Sequence, residues 1–202
     1  MCHKTLAEYY HCDVSFPNKS KNFQQKFNCV ELGTYCGYSA LVLATTLCQF
    51  IQDQKQQNDG AAPLEFHIYT TEVSTKLINV AQSVLRLAKM EGHITPIFMK
   101  DEDSLSQTLQ ENGVTDIDFL LMDHDKPRYL RDLQELESSK MLREGSYVAA
   151  DNVVFNRLDS YRNHMHELGL KGVVESRLEE MNLEYSNNLK DGIEMTRYLM
   201  NP

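Results

Sequence analysis

Residues 27–52, FNCVELGTYCGYSALVLATTLCQFIQ, decide the fold of this 202-residue chain. FNCVELG is a short apolar run ending in glycine, the signature of a buried strand. GTYCG is a tight turn. YSALVLATTLCQFIQ then carries apolar residues at helical spacing. A strand, a glycine turn and a helix in that order make the first unit of a parallel α/β sheet.

Outward from that unit the alternation repeats. DQKQQNDGAAP (53–63) reads as a polar surface loop. EFHIYTTE (65–72) is a predicted strand, and the stretch 75–92 is a helix stopped by Gly92. ITPIFM (94–99) is a strand, and 104–113 is a short helix stopped by Gly113. DIDFLLMD (116–123) is a strand, 128–142 a helix, SYVAAD (146–151) a strand and 157–169 a helix. The tail, 173–185 and 192–200, reads as two strands joined by the turn-rich SNNLKDG, an antiparallel hairpin on the same sheet. The near-continuous apolar runs FLLMD and YVAAD fit interior parallel strands, which are buried on both faces. Residues 1–26 are polar and weakly patterned, so we expect a short N-terminal segment before a single domain spanning 27–202.

Composition narrows the function. The formal net charge is -9, with no basic cluster beyond scattered lysines, which argues against a nucleic-acid partner. Five cysteines without a CxxC argue against a disulfide framework or a zinc site and fit a reducing cytoplasm. No apolar run is long enough to span a membrane.

Sheets of this kind bind ligands beyond the carboxyl ends of their strands. The residues there are Glu31 to Gly33, Glu72, Asp123 with His124, and Asp151 with Asn152. The glycines of ELGTYCGYS leave room for a ligand to approach, and the helix start offers free N–H groups. That turn suits a dinucleotide as well as a methyl donor, but GxxxG is short of the full dinucleotide fingerprint. Glu72 is placed to accept the hydroxyls of a ribose. Asp123, Asp151 and Asn152 are hard oxygen donors suited to Mg²⁺ or Ca²⁺, and three of them leave room for water or substrate. Taken singly, each aspartate reads as a helix cap; together, at the ends of neighbouring strands, they read as a metal site.

With VELGTYCGYSA, the TTE strand end, LMDHDKPRYL, VAADNVV, and LEY followed by DGIE, the chain resembles the catechol O-methyltransferase family from about Phe27 to Tyr198. The resemblance implies a Rossmann-like class I methyltransferase fold, with a seven-stranded, mostly parallel sheet, an antiparallel last strand and helices on both faces. It implies methyl transfer from S-adenosylmethionine to a catechol hydroxyl. Glu31, Gly33, Tyr35, Ser39, Glu72, Val73, Asp101, Glu102, Asp123 and His124 would line the donor site. Glu72 would hold the ribose, and His124, Asp101 and Glu102 would meet the adenine. Asp123, Asp151 and Asn152 would bind Mg²⁺. Lys126 would be the general base, and Glu184, with Lys126 and Asn152, would contact the acceptor. The sequence departs from the family in four places. FMKDEDS (98–104) stands where the family has a glycine followed by small and amide residues at the adenine. The lid of helices that precedes the first strand does not map onto residues 1–26. Asp125 stands where the family has a tryptophan. Phe155, Asn156 and Arg157 replace a proline-containing wall. These departures keep open an acceptor other than a catechol, or a weakly active donor-binding homologue.

Overall fold

A computed structural model describes residues 26–57, 65–182 and 189–202. The N-terminal segment 1–25, positions 58–64 of the polar loop, and Glu184 lie outside the described residues.

The strands are β1 (Lys26–Leu32), β2 (Glu65–Glu72), β3 (Ile94–Phe98), β4 (Phe119–Met122), β5 (Tyr147–Ala150), β6 (Val174–Asn182) and β7 (Lys190–Tyr198). They form one sheet in the order β3-β2-β1-β4-β5-β7-β6. The first five strands run parallel. β7 inserts between β5 and β6 and is antiparallel to both. The helices are α1 (Tyr38–Gln57), α2 (Thr75–Ala88), α3 (Leu105–Glu111), α4 (Tyr129–Ser138) and α5 (Asp159–Leu170), with a 3₁₀ turn at Lys126–Arg128.

Period-two alternation along β1 divides the core. Val30 and Leu32 face one side, where Leu105, Leu109, Leu133, Leu136, Tyr161 and Met165 from α3, α4 and α5 pack. Cys29 faces the other, with Ala40, Leu43, Ala44 and Leu47 of α1 and Leu85 of α2. Glu31 shares the Cys29 side and is completely buried.

One difference from the sequence reading has a local cause. α1 runs on to Gln57, five residues past its expected end, because 53–57 contains good helix formers and no breaker. Gln49 Nε2 also donates to Asp53 Oδ1 one turn away, at 2.9 Å. Pro96 sits inside β3, which is tolerated because β3 is an edge strand. Chain order reverses between β1 and β4, and the crevice above that switch point is where a ligand site belongs.

Candidate functional site

A cleft of about 820 Å³ opens at the carboxyl ends of β1, β2, β4 and β5. Its floor is the turn after β1. Gly33 N and Thr34 N both donate to Thr71 O, at 3.1 and 3.0 Å, and Gly37 N donates to Thr34 O at 2.7 Å. Glu72 braces the same turn: Oε2 accepts from Tyr35 N at 2.9 Å and Oε1 from Ser74 N at 3.0 Å. Glu72 thus fixes the turn and also lines the cleft.

Gly33 has φ +103°, and a Cβ there would lie 2.4 Å from Asp123 O. The glycine is therefore required by the approach of the β1 turn to the end of β4. Gly37 has φ +82°, a conformation that favours glycine, while a Cβ there would make only ordinary contact with Ala81 and Leu85 of α2. The cleft wall carries exposed apolar surface at Tyr35, Tyr38 and Val73, which suits a ligand with planar or apolar parts.

Beneath the turn, Glu31 Oε2 accepts from Thr70 Oγ1 at 2.5 Å. The Ser39 hydroxyl also favours the carboxylate, and Oε1 has no hydrogen-bond partner. Burial pushes this carboxyl up to about 7, outweighing the two hydroxyls.

Asp123 and Asp151 follow directly on Met122 and Ala150, which are register partners in β4 and β5. Adjacent strands lie about 4.8 Å apart, so the two aspartates leave the sheet side by side. Neither caps a helix: the N-cap of α5 is Leu158, and Asp125 precedes the 3₁₀ turn. Lys126 Nζ bridges Asp123 Oδ1 at 2.8 Å and Tyr129 Oη at 2.9 Å. Burial first, and then the charge of Asp123, push the Asp151 carboxyl up to about 6. Asn152 adopts φ +59°, a left-handed conformation that asparagine tolerates. Its Nδ2 donates to Asp191 Oδ2 at 2.8 Å, which leaves its Oδ1 as an oxygen donor.

Two carboxylates held together at a partly buried strand end, with an amide oxygen beside them, fit a hard divalent cation. Among the described residues no group of three or more His, Cys, Asp or Glu forms a metal cluster. A cation here therefore depends on the asparagine as its third protein ligand.

Next to Asp123, His124 stacks on Tyr129, with ring centroids 4.9 Å apart. Its Nε2 lies 2.9 Å from Asp132 Oδ2. Asp132 is buried, yet hydrogen bonds from His124 and Arg131 outweigh that burial and hold its carboxyl below the usual range. Asp101 lines the cleft, where it is paired with Arg128. Glu102 is exposed and is not part of the lining.

Sequence reasoning missed Tyr129, Asp132 and Asp191. Tyr129 is the hub of the site. Its hydroxyl donates to Met122 O at 2.5 Å, with Asp151 O at 3.1 Å, so it ties the ends of β4 and β5 together. Burial, reinforced by Asp123 and Asp151, pushes its phenol far up, so it stays protonated. The available signal was its i,i+3 spacing from Lys126.

Residues 30–153 match the methyltransferase domain family. The chain is 29% identical over 169 residues to catechol O-methyltransferase of Sus scrofa, covering 84% of this chain and 81% of that protein. It is 30% identical over 170 residues to the transmembrane O-methyltransferase homolog of Mus musculus, covering 84% of this chain and 59% of that protein. It spans 43% of the length of a Bos taurus catechol O-methyltransferase that it also matches. The O-methyltransferase TomG from Streptomyces achromogenes, solved in complex with SAM, has the same fold, with a TM-score of 0.64 at 21% identity, over 85% of this chain and 72% of that one. Among the described residues no helix is long and apolar enough to cross a membrane. The chain belongs to the methyltransferase domain family, among the class I O-methyltransferases that resemble catechol O-methyltransferase.

Proposed function

We propose that this protein transfers a methyl group from S-adenosylmethionine to a hydroxyl of a catechol, with Mg²⁺ at Asp123, Asp151 and Asn152. The observation that carries this reading is the emergence of Asp123 and Asp151 side by side from β4 and β5, with Asn152 next to them, on the wall of the cleft that begins at the Gly33 turn. S-adenosylmethionine would lie along that cleft, with its ribose at Glu72 and its adenine towards His124 and Asp101. The Mg²⁺ ion, when bound, makes ionisation of a bound phenol accessible near neutral pH. Lys126, beside Asp123, would first release its own proton to solvent and then, as the neutral amine, take the phenol proton. The phenolate oxygen then forms its bond to the methyl carbon as the sulfonium–carbon bond breaks, leaving S-adenosylhomocysteine. Charge is neutralised in that step, so holding the two reactants in line supplies much of the rate. Glu184 is proposed, from the family likeness, to meet the acceptor hydroxyl that is not methylated.

The test is labelled S-adenosylmethionine with a panel of catechols, run with Mg²⁺ and then with a chelator. Labelled product that disappears on chelation is expected. Product formation unaffected by chelation would remove the metal from the mechanism, and no product with any hydroxylated aromatic would leave a donor-binding protein.

A second acceptor class is favoured by Arg157. Its guanidinium is exposed, makes no ion pair among the described residues, and shares a groove of about 390 Å³ with Lys126. Asp159 also lines that groove and offsets part of the charge. A carboxylated catechol should show the lower KM, and Arg157→Ala should abolish the difference. A neutral catechol with the lower KM would count against this reading.

A further inference from the structure

The buried start of β7 carries a polar group that the proposed chemistry does not use. Asp191 is 3% exposed. Its Oδ1 accepts from Phe155 N at 3.0 Å and Gly192 N at 2.8 Å, and its Oδ2 accepts from Asn152 Nδ2 at 2.8 Å. Next to it, Gly192 O accepts from Val153 N at 3.1 Å. A Cβ at Gly192 would lie 3.0 Å from Glu179 O and 3.1 Å from a Val154 methyl, so glycine lets β7 come this close without its neighbours giving way. Two consecutive residues of β7 therefore hold three of the four residues 152–155.

From this geometry we infer that Asp191 is a positioning residue that selects which end of the Asn152 amide faces the cleft. An ionised carboxylate only accepts hydrogen bonds. It can be satisfied by the amide nitrogen of Asn152 and not by its oxygen. Asn152 Oδ1 is thereby turned away from Asp191, leaving an oxygen rather than an N–H for a cation at Asp123 and Asp151. The two ends of an asparagine amide are almost identical in shape, so packing alone does not choose between them. The hydrogen-bond partner does.

The inference rests on reading Asp123, Asp151 and Asn152 as an oxygen site for a divalent cation. It makes a specific demand of Asp191→Asn. An asparagine at 191 can donate to Asn152 Oδ1, which would turn the Asn152 NH₂ toward the cation. The double variant Asn152→Asp, Asp191→Asn removes that hazard, because an aspartate carries oxygen on both branches and has no wrong orientation.

The experiment is Mn²⁺ binding to the full chain by titration calorimetry, without donor or acceptor, with melting temperatures measured on the same samples. Asp191→Asn should weaken Mn²⁺ binding about 10- to 100-fold, the range found when groups that orient metal ligands are removed. The double variant should bind more tightly than Asp191→Asn. Asp191→Asn binding as tightly as the wild type would overturn the inference while leaving the metal reading intact. A double variant no better than Asp191→Asn would overturn it too, since the damage would then not come from the orientation of Asn152. A wild-type protein that binds no Mn²⁺ would overturn the metal reading, and the role of Asp191 with it. If Asp191→Asn proves unfolded by melting, the double variant decides: folded with Mn²⁺ binding supports the inference, and folded without it refutes it.

Discussion

Glu31→Gln should make this protein more stable at alkaline pH and change it little in acid. The carboxyl is wholly buried on the α1 face of β1 and sits at about 7 against an ordinary value of 4.5. Because the folded value lies above the unfolded one, the native state retains a proton between pH 4.5 and 7 that the unfolded chain has released. Stability therefore falls as pH rises through that window and levels off above it. At about 1.4 kcal/mol per pH unit, the span from 4.5 to about 7 costs the native protein about 3 kcal/mol at pH 8.5. A glutamine is neutral throughout, and its carbonyl still accepts from Thr70. In a chain of this length 1 kcal/mol moves the melting temperature by about 2–4 °C, so the variant should melt roughly 6–12 °C higher at pH 8.5. At pH 5 the gain should fall below about 1 kcal/mol. The assay is thermal denaturation of both proteins across pH 5 to 8.5. A difference that does not change with pH, or a variant less stable at pH 8.5, would refute a protonated, desolvated Glu31.

Three further outcomes follow from the geometry. Gly33→Ala must place a Cβ 2.4 Å from Asp123 O at a backbone φ of +103°, and should cost about 3 kcal/mol or more, read as a fall in denaturation midpoint together with weaker S-adenosylhomocysteine binding. Lys126→Met should lower kcat by about 10²- to 10⁴-fold while donor affinity holds, and a kcat near wild type would exclude Lys126 as the base. Arg143 pairs with Asp116 and Asp118 at the opposite end of β4 from the cleft; Arg143→Ala should cost about 2 kcal/mol in urea denaturation and leave donor affinity unchanged.

The parts of this molecule that were legible in the sequence are those governed by local pattern. FLLM and YVAA are apolar without alternation because β4 and β5 are covered on both faces, and that texture marks them as interior strands. The position of Asp123, Asp151 and Asn152 at the carboxyl ends of β4 and β5 was legible because the strands themselves were. What was hidden depends on long-range contacts. Nothing near Gly33 reveals that its missing side chain accommodates the carbonyl of Asp123, ninety residues on. Tyr129 reads as an ordinary apolar position of an amphipathic helix, and its role as a tie between β4 and β5 follows only from where its hydroxyl lands. Asp191 was visible as part of DGIE, but its grip on Asn152 exists only because β7 inserts next to β5.

The central claim is that the oxygens of Asp123, Asp151 and Asn152 share one divalent ion at the edge of the donor cleft. Anomalous diffraction from crystals soaked in Mn²⁺ and S-adenosylhomocysteine measures this directly. A single strong peak in contact with one oxygen from each of the three side chains, at roughly 2.0–2.3 Å, is expected. A peak elsewhere, or none at this position while S-adenosylhomocysteine fills the cleft, would contradict it.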